Sequence, residues 1–571
     1  MSAGAGIKPS SAMDNRSQPG DLGRSAGLHS LSAEQRSQLE SALRSAREIA
    51  ESGSSAALAH IGVGDAQPPA HLTEEQRTFR RGLRAHGRSI GDRRQHNGAQ
   101  EITRLVREVA YEHWHRMLFA RYLAERGLLM WDASAAVTLA ECHEMASDKT
   151  LQLGFNSGWA LAGRLASRML PQLFPSDSSV LALALAPEHQ VGLERILASL
   201  PPQIFRAQDS LGWAYQYWQA KRKEEVNALQ AKVGADELPA VTQLFTEDYM
   251  VEFLLRNTVG RHEKPPAELR LLDPCCGSGH FLVASFYFLV PLRQELEGLT
   301  SRDAVDAVLR DNLFGLEVDP RCVEIAAFAL ALAAWTYPDE GEHPLGYRPL
   351  PSLNLACCGR APVEAEIPGV GAELTARFQQ AALLGSLILS GVAEGVLQPG
   401  FAQPGAYRAV NEETVNEPDE DDAERLVAAK GFADALRLLS QRYDFVLTNP
   451  PFLGRGRMCD ELRAFVESHY YEARHDLGAA FLEQCLRLTK PDGMVGSVIQ
   501  QSWLFAASYG AYRTKLLEEG RLHLVANLGE GAFRSTDAAG AFPSLVILSN
   551  AKAPDDAAVR LLDVASHRTA D

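Results

Sequence analysis

The stretch ELRLLDPCCGSGHFLVASFYFLV, residues 268–290, reads as a short buried strand, a glycine-bearing turn and a long apolar helix. Leucines at 269, 271 and 272 supply the strand, and the apolar run from Phe281 supplies the helix. The same texture returns further along. NLFGLEVD (312–319) leads into PRCVEIAAFALALAAW (320–335), and YDFVLTN (443–449) is followed by DLGAAFLEQCLRLTK (476–490) and GMVGSVIQ (493–500). Strands alternating with helices predict an α/β fold with a parallel sheet covered on both faces.

At 571 residues the chain is long enough for two or three domains. A hydrophobic share of 46% with 22% charged residues is ordinary for a globular protein, and no run of about twenty apolar residues suggests a membrane span. The first thirty residues, rich in Ser, Gly and Pro, lack the pattern of a secretory signal and predict a disordered tail on a cytoplasmic protein. Eight cysteines show neither zinc-site spacing nor a disulfide framework, so reduced thiols and no metal are expected.

Upstream of the sheet, residues 31–235 carry apolar positions at three- and four-residue spacing, as in REVAYEHWHRMLFARYLAERGLL (107–129) and LGWAYQYWQAKRKEEVNALQAKV (211–233). This predicts an α-helical amino-terminal domain ahead of an α/β domain at 240–560. Between about 338 and 430 the regularity weakens, which reads as an irregular insertion. The net charge of −16 argues against bulk electrostatic coating of nucleic acid, but it is unevenly spread. From Arg77 to Arg126 there are twelve arginines against five acids, which suits either a solvated helix face or a phosphate-binding surface. NEETVNEPDEDDAE, from Asn411, packs eight acids into fourteen residues and reads as a solvated loop.

In an open α/β sheet, ligands bind beyond the carboxyl ends of the strands. The unusual residues fall there. Gly277 and Gly279 let the backbone turn tightly beside a helix amino terminus. The third glycine of a dinucleotide loop is missing, however, and no phosphate loop with Gly-Lys-Ser/Thr exists, so nucleotide phosphates are poor candidates. The second strand ends in Glu317-Val318-Asp319, which places a carboxylate suited to two ribose hydroxyls. An adenosine-containing cofactor whose attached group is not phosphate is the reading that joins these features. At the third strand end, the Asn449 amide oxygen and the Pro450 carbonyl form two acceptors for one planar amine, and Pro451 helps to stiffen them. Phe452 then offers a ring for stacking a base.

At these residues the chain resembles the class I S-adenosylmethionine-dependent DNA adenine-N6 methyltransferases. DPCCGSGHF resembles their cofactor loop, LEVD their ribose-binding strand end and NPPF their catalytic motif. FTEDYM (245–250) resembles the upstream cofactor element of the gamma motif order. The resemblance implies a Rossmann-like class I methyltransferase sheet with helices on both faces. It implies Phe245, Thr246, Asp273, Pro274, Gly277, Gly279 and Glu317 as cofactor-binding residues, with Asp273 toward the methionine amino group. It further implies Asn449, Pro450, Pro451 and Phe452 as the catalytic motif, and Phe533, within NLGEGAFRSTDAAGAFPSLVIL (527–548), as a second aromatic on the flipped base. The segments 107–129 and 500–517 are most similar to the BREX phage-exclusion (PglX) and type IIG modification methylases. In NLACCGRAP (354–362), Arg360 stands where relatives often carry Asn or Asp for the cofactor's adenine amine.

The implied activity is site-specific methylation of double-stranded DNA in a phage-defence or restriction-modification system. Asn-Pro-Pro logic also serves glutamine-N5 methylation of proteins and some RNA methylation, and a cofactor-binding defence subunit without turnover stays open. No strand-borne acid pair followed by Glu-x-Lys points to a nuclease. After SLVILSN (544–550) only about twenty residues remain, too few for a recognition domain. The expectation is that this chain alone methylates DNA weakly or without strong site preference, and works with other subunits or with a carboxyl-terminal region absent from this sequence.

Overall fold

The computed structural model describes residues 30–565 apart from 149, 152–153, 156, 172, 175–177, 230–231, 360–375, 389–433 and 534–540. Residues 1–29 of the expected tail, the acidic run from Asn411 and Arg360 lie outside the described residues.

Among the described residues, eight strands form one sheet: β1 (Leu271–Asp273), β2 (Leu313–Glu317), β3 (Asn354–Cys357), β4 (Tyr443–Thr448), β5 (Thr489–Gln500), β6 (Arg521–Asn527), β7 (Pro543–Ser549) and β8 (Arg560–Asp563). Their order is β3-β2-β1-β4-β5-β7-β6-β8. Strands β1 to β5 run parallel, while β7 is antiparallel to both β5 and β6. The all-parallel expectation therefore fails at β7. All seven of its residues are buried, and an apolar run of that kind reads the same in either direction. Two further corrections concern short strands. β3 forms a sheet edge inside the stretch that reads as an irregular insertion, because its four residues, NLAC, three partly exposed and only Ala356 buried, carry no alternation to detect. β8 lies beyond SLVILSN, the last strand that the sequence predicts, and its four residues are all exposed.

Side chains alternate across the sheet into two cores. Leu271 and Phe445 face the helices Asp248–Asn257 and His280–Glu297, whereas Leu272 and Val446 face the helix Leu477–Leu488. The direction of crossover reverses between β1 and β4, so the loops leaving those two strands diverge and open a crevice at their carboxyl ends.

The amino-terminal helices are started by the reciprocal capping that Ser/Thr-x-x-Glu/Gln provides, with Ser32 and Gln35, Thr73 and Gln76, and Thr138 and Glu141. They do not bury their apolar faces only against one another. Phe119 stacks on Phe328 at 3.8 Å, and the same core takes in Cys322, Ile325 and Trp335 of the helix Pro320–Thr336. The helical part is thus seated on the outer face of the sheet's own helix layer.

Much of the arginine-rich stretch is engaged in contacts within the protein. Of its twelve arginines, only Arg81, Arg88, Arg93 and Arg94 are exposed. Arg80 donates to the Gly62 carbonyl at 2.8 Å, Arg84 to that of Val63 at 2.7 Å, and Arg126 to that of Phe205 at 3.0 Å. Guanidinium groups with several donors satisfy loop carbonyls that would otherwise be buried unpaired.

Candidate active site

The loop after β1 is held by geometry that only glycine tolerates cheaply. Gly277 and Gly279 have φ of 51° and 87°. A methyl on Gly279 would lie 3.0 Å from both Cα and Cβ of Ala326. Gly279→Ala should therefore cost about 2 kcal/mol of stability, from left-handed backbone strain and loss of close helix packing, read as a lower urea midpoint with unchanged slope. The loop also reaches across to β2, where the Cys276 amide donates to the Leu316 carbonyl at 2.9 Å and the Gly277 amide to Glu317 Oε2 at 2.9 Å.

Two carboxyls meet at these strand ends. Asp273 is 1% exposed, and burial pushes its carboxyl up to about 7. Burial likewise raises Glu317 to about 7, against the pull of amides from Asp319, Gly277 and Val318. Each is an acid whose charge is costly until something cationic or donor-rich arrives. At the end of β4, Asn449 donates from Nδ2 to Thr246 Oγ1 at 3.1 Å. Its Oδ1 is buried and has no hydrogen-bond partner among the described residues. The amide is thereby fixed with its acceptor end left over.

A cleft of about 1020 Å³ joins these groups. Phe245, Thr246, Asp273, Pro274, Gly277, Glu317, Asn449 and Pro451 all line it. Gly279 stands behind, at the start of the helix His280–Glu297. Pro450 is buried and does not line the cleft. Phe452 is half-buried and Phe533 is 7% exposed; both belong to the core cluster beside the sheet rather than to the cleft wall. The loop 449–454 is anchored by the helix Leu477–Leu488: the Leu477 amide donates to the Leu453 carbonyl at 2.9 Å, and Gly478 packs beside Pro451 and Phe452.

Several neighbours were not legible in the sequence. His280 stacks on Phe245 at 4.6 Å and pairs through Nε2 with Asp248 at 2.8 Å. Burial alone would lower its pKa, but Asp248 raises it. Gln216, from the helical part, and Ser386, from the stretch that reads as an insertion, also line the cleft. Gln216 sits in a helix whose first three turns are buried on every side, so periodicity singles out no functional face.

Comparison with known proteins finds methyltransferases. Residues 311–533 match the family model of the Eco57I restriction-modification methylase, and residues 257–346 that of the MmeI DNA-methyltransferase domain. The sheet is that of a class I methyltransferase. The chain is 26% identical over 405 residues to the adenine-specific methyltransferase BrxX of Escherichia coli O9:H4 (strain HS), covering 60% of this chain and 33% of that one. It is also 26% identical over 427 residues to the adenine-specific methyltransferase PglX of Lacticaseibacillus casei (strain Zhang), covering 64% and 34%. This chain spans about a third of the length of both relatives. Among solved structures, the DrdV–DNA complex superposes with a TM-score of 0.48 at 13% identity, over 94% of this chain and 44% of that one. Within the methyltransferase sheet, the strand ends bearing Asp273, Glu317 and Asn449 are those of β1, β2 and β4, on either side of the topological switch point.

Proposed function

We propose that the chain transfers a methyl group from S-adenosylmethionine to N6 of adenine in double-stranded DNA, as part of a cytoplasmic phage-defence or restriction-modification system. The observation that carries the reading is Asn449 Oδ1, at the end of β4 and without a partner among the described residues, in one cleft with two buried carboxyls. An exocyclic amine is a poor nucleophile because its lone pair is delocalised into the base. Two fixed acceptors, Asn449 Oδ1 and the Pro450 carbonyl, would draw its hydrogens and favour tetrahedral nitrogen, so the residues act by orientation and electrostatics. Reaching N6 requires the adenine to leave the duplex stack, and Phe452 and Phe533 are the rings proposed to receive it.

The residues fit the cofactor. Asp273 would take its ammonium and Glu317 its ribose hydroxyls, and both residues line the same cleft as Asn449. S-adenosylmethionine supplies an activated methyl on sulfonium, so no metal is required of the protein. The names of the relatives support adenine as the target base. The test is transfer of labelled methyl to DNA, RNA and protein side by side, with the product nucleoside identified. Label in N6-methyladenine of DNA supports the reading; label only in protein glutamine or RNA overturns it.

A pH signature follows from the two carboxyls. Between about pH 4 and pH 7 they are protonated in the folded chain but ionised when unfolded, so folding takes up protons. The ligand-free protein should therefore lose stability as pH rises through that window. Cofactor binding has the opposite sign. It favours the ionised carboxyls, so affinity should rise from pH 6 to pH 8 with proton release, measurable by calorimetry in buffers of different ionisation enthalpy.

A further inference from the structure

The helix Ser210–Leu229 belongs to the amino-terminal helical part, yet it reaches the cofactor cleft at three points. Gly212 lies so close to Phe245 that a methyl there would meet its ring at 2.3 Å, and Gln216 Oε1 accepts the Phe245 amide at 3.0 Å. The third point is a chain of hydrogen bonds that ends on the ribose-side acid. Gln219 donates to the Tyr215 hydroxyl at 2.8 Å, and that hydroxyl donates to Asp319 Oδ2. Asp319 is clamped from the other side by Arg321, at 2.8 Å from Nε and 2.7 Å from Nη2, and its own amide donates to Glu317 Oε1 at 3.1 Å. Tyr215, Asp319 and Gln219 are 2%, 3% and 6% exposed, so no solvent competes for these bonds.

We propose that Tyr215 is a positioning residue of the cofactor site, which sets the Glu317 carboxylate through Asp319 and so makes ribose recognition depend on the helical part. This rests on the functional reading above. The mechanism is local. Without the Tyr215 hydroxyl, Asp319 loses this tie to the helical part, and the backbone turn that presents the Asp319 amide to Glu317 is left to the Arg321 clamp and to the cap bonds from the Arg321 and Cys322 amides. A buried bond to a charged acceptor is worth enough to move affinity about tenfold when it is lost. The effect should be confined to the part of the ligand that Glu317 touches.

The experiment measures affinity for S-adenosylhomocysteine and for its 2′,3′-dideoxy analogue, by calorimetry on the full chain, in wild type, Tyr215→Phe, Glu317→Gln and the double variant. The expected result is about tenfold weaker S-adenosylhomocysteine binding in Tyr215→Phe, an unchanged affinity for the dideoxy analogue, and no further loss when Tyr215→Phe is added to Glu317→Gln. Equal weakening of both ligands, or additive losses in the double variant, overturns the proposal, since a general packing role would produce either. If Tyr215→Phe does not fold, Gln219→Met, which removes the donor that orients the Tyr215 hydroxyl toward Asp319, should give the same ligand-selective pattern at smaller amplitude, and a loss equal for both ligands or no loss at all overturns the proposal. A wild-type chain that binds neither ligand overturns the functional reading itself, and this proposal with it; binding by wild type with no selectivity in the variants overturns the positioning role alone.

Discussion

Asn449→Ala should lower methyl transfer by about 100- to 1000-fold while cofactor affinity stays within about twofold of wild type. The amide is held by its nitrogen on Thr246 and its oxygen has no partner among the described residues, so the substitution removes the acceptor proposed to meet the substrate without uncovering a packed core. Asn449→Asp separates orientation from charge. It retains an acceptor but loses the donor to Thr246, so an intermediate rate is expected. Single-turnover transfer with cofactor in excess is the appropriate measurement, because it isolates the chemical step from product release. An alanine variant within about threefold of wild type would leave the proposed mechanism without its central residue.

Asp273→Asn should move binding and stability in opposite directions. The carboxyl is buried and its charge is costly, as the rise to about 7 expresses. Replacing it with a neutral amide of the same shape should raise the melting temperature of the ligand-free protein at pH 8, where the native carboxylate is ionised. The same change removes the charge proposed to face the cofactor's ammonium and should weaken binding by about 100-fold, since charge-assisted pairs in dry sites are the strong ones. Thermal melts with and without S-adenosylhomocysteine read both effects at once. A variant that is less stable and still shifts fully with ligand would show Asp273 to be a structural acid.

Much of this was legible in the order of residues. The repeat of apolar strand, special turn and apolar helix around 268–290, 312–335 and 443–500 fixed an α/β sheet, because burial on both faces demands near-continuous apolar runs whatever the rest of the chain does. The placement of Asp273, Glu317 and Asn449 followed from the same logic, since all three stand at carboxyl ends of such runs. Sequence did not reveal strand direction at β7, nor the short strands β3 and β8, whose four residues each carry too little alternation to register. It also left open the role of the arginines between Arg77 and Arg126, because a guanidinium that ties down carbonyls and one that faces solvent look alike in one dimension.

What only the tertiary structure decided is which groups from distant stretches share one site. Tyr215 and Asp319 are separated by 104 positions, and Thr246 and Asn449 by 203. Local pattern constrains which face of an element is buried, whereas these partners are chosen by how separate elements pack, and no periodicity within either segment encodes that choice.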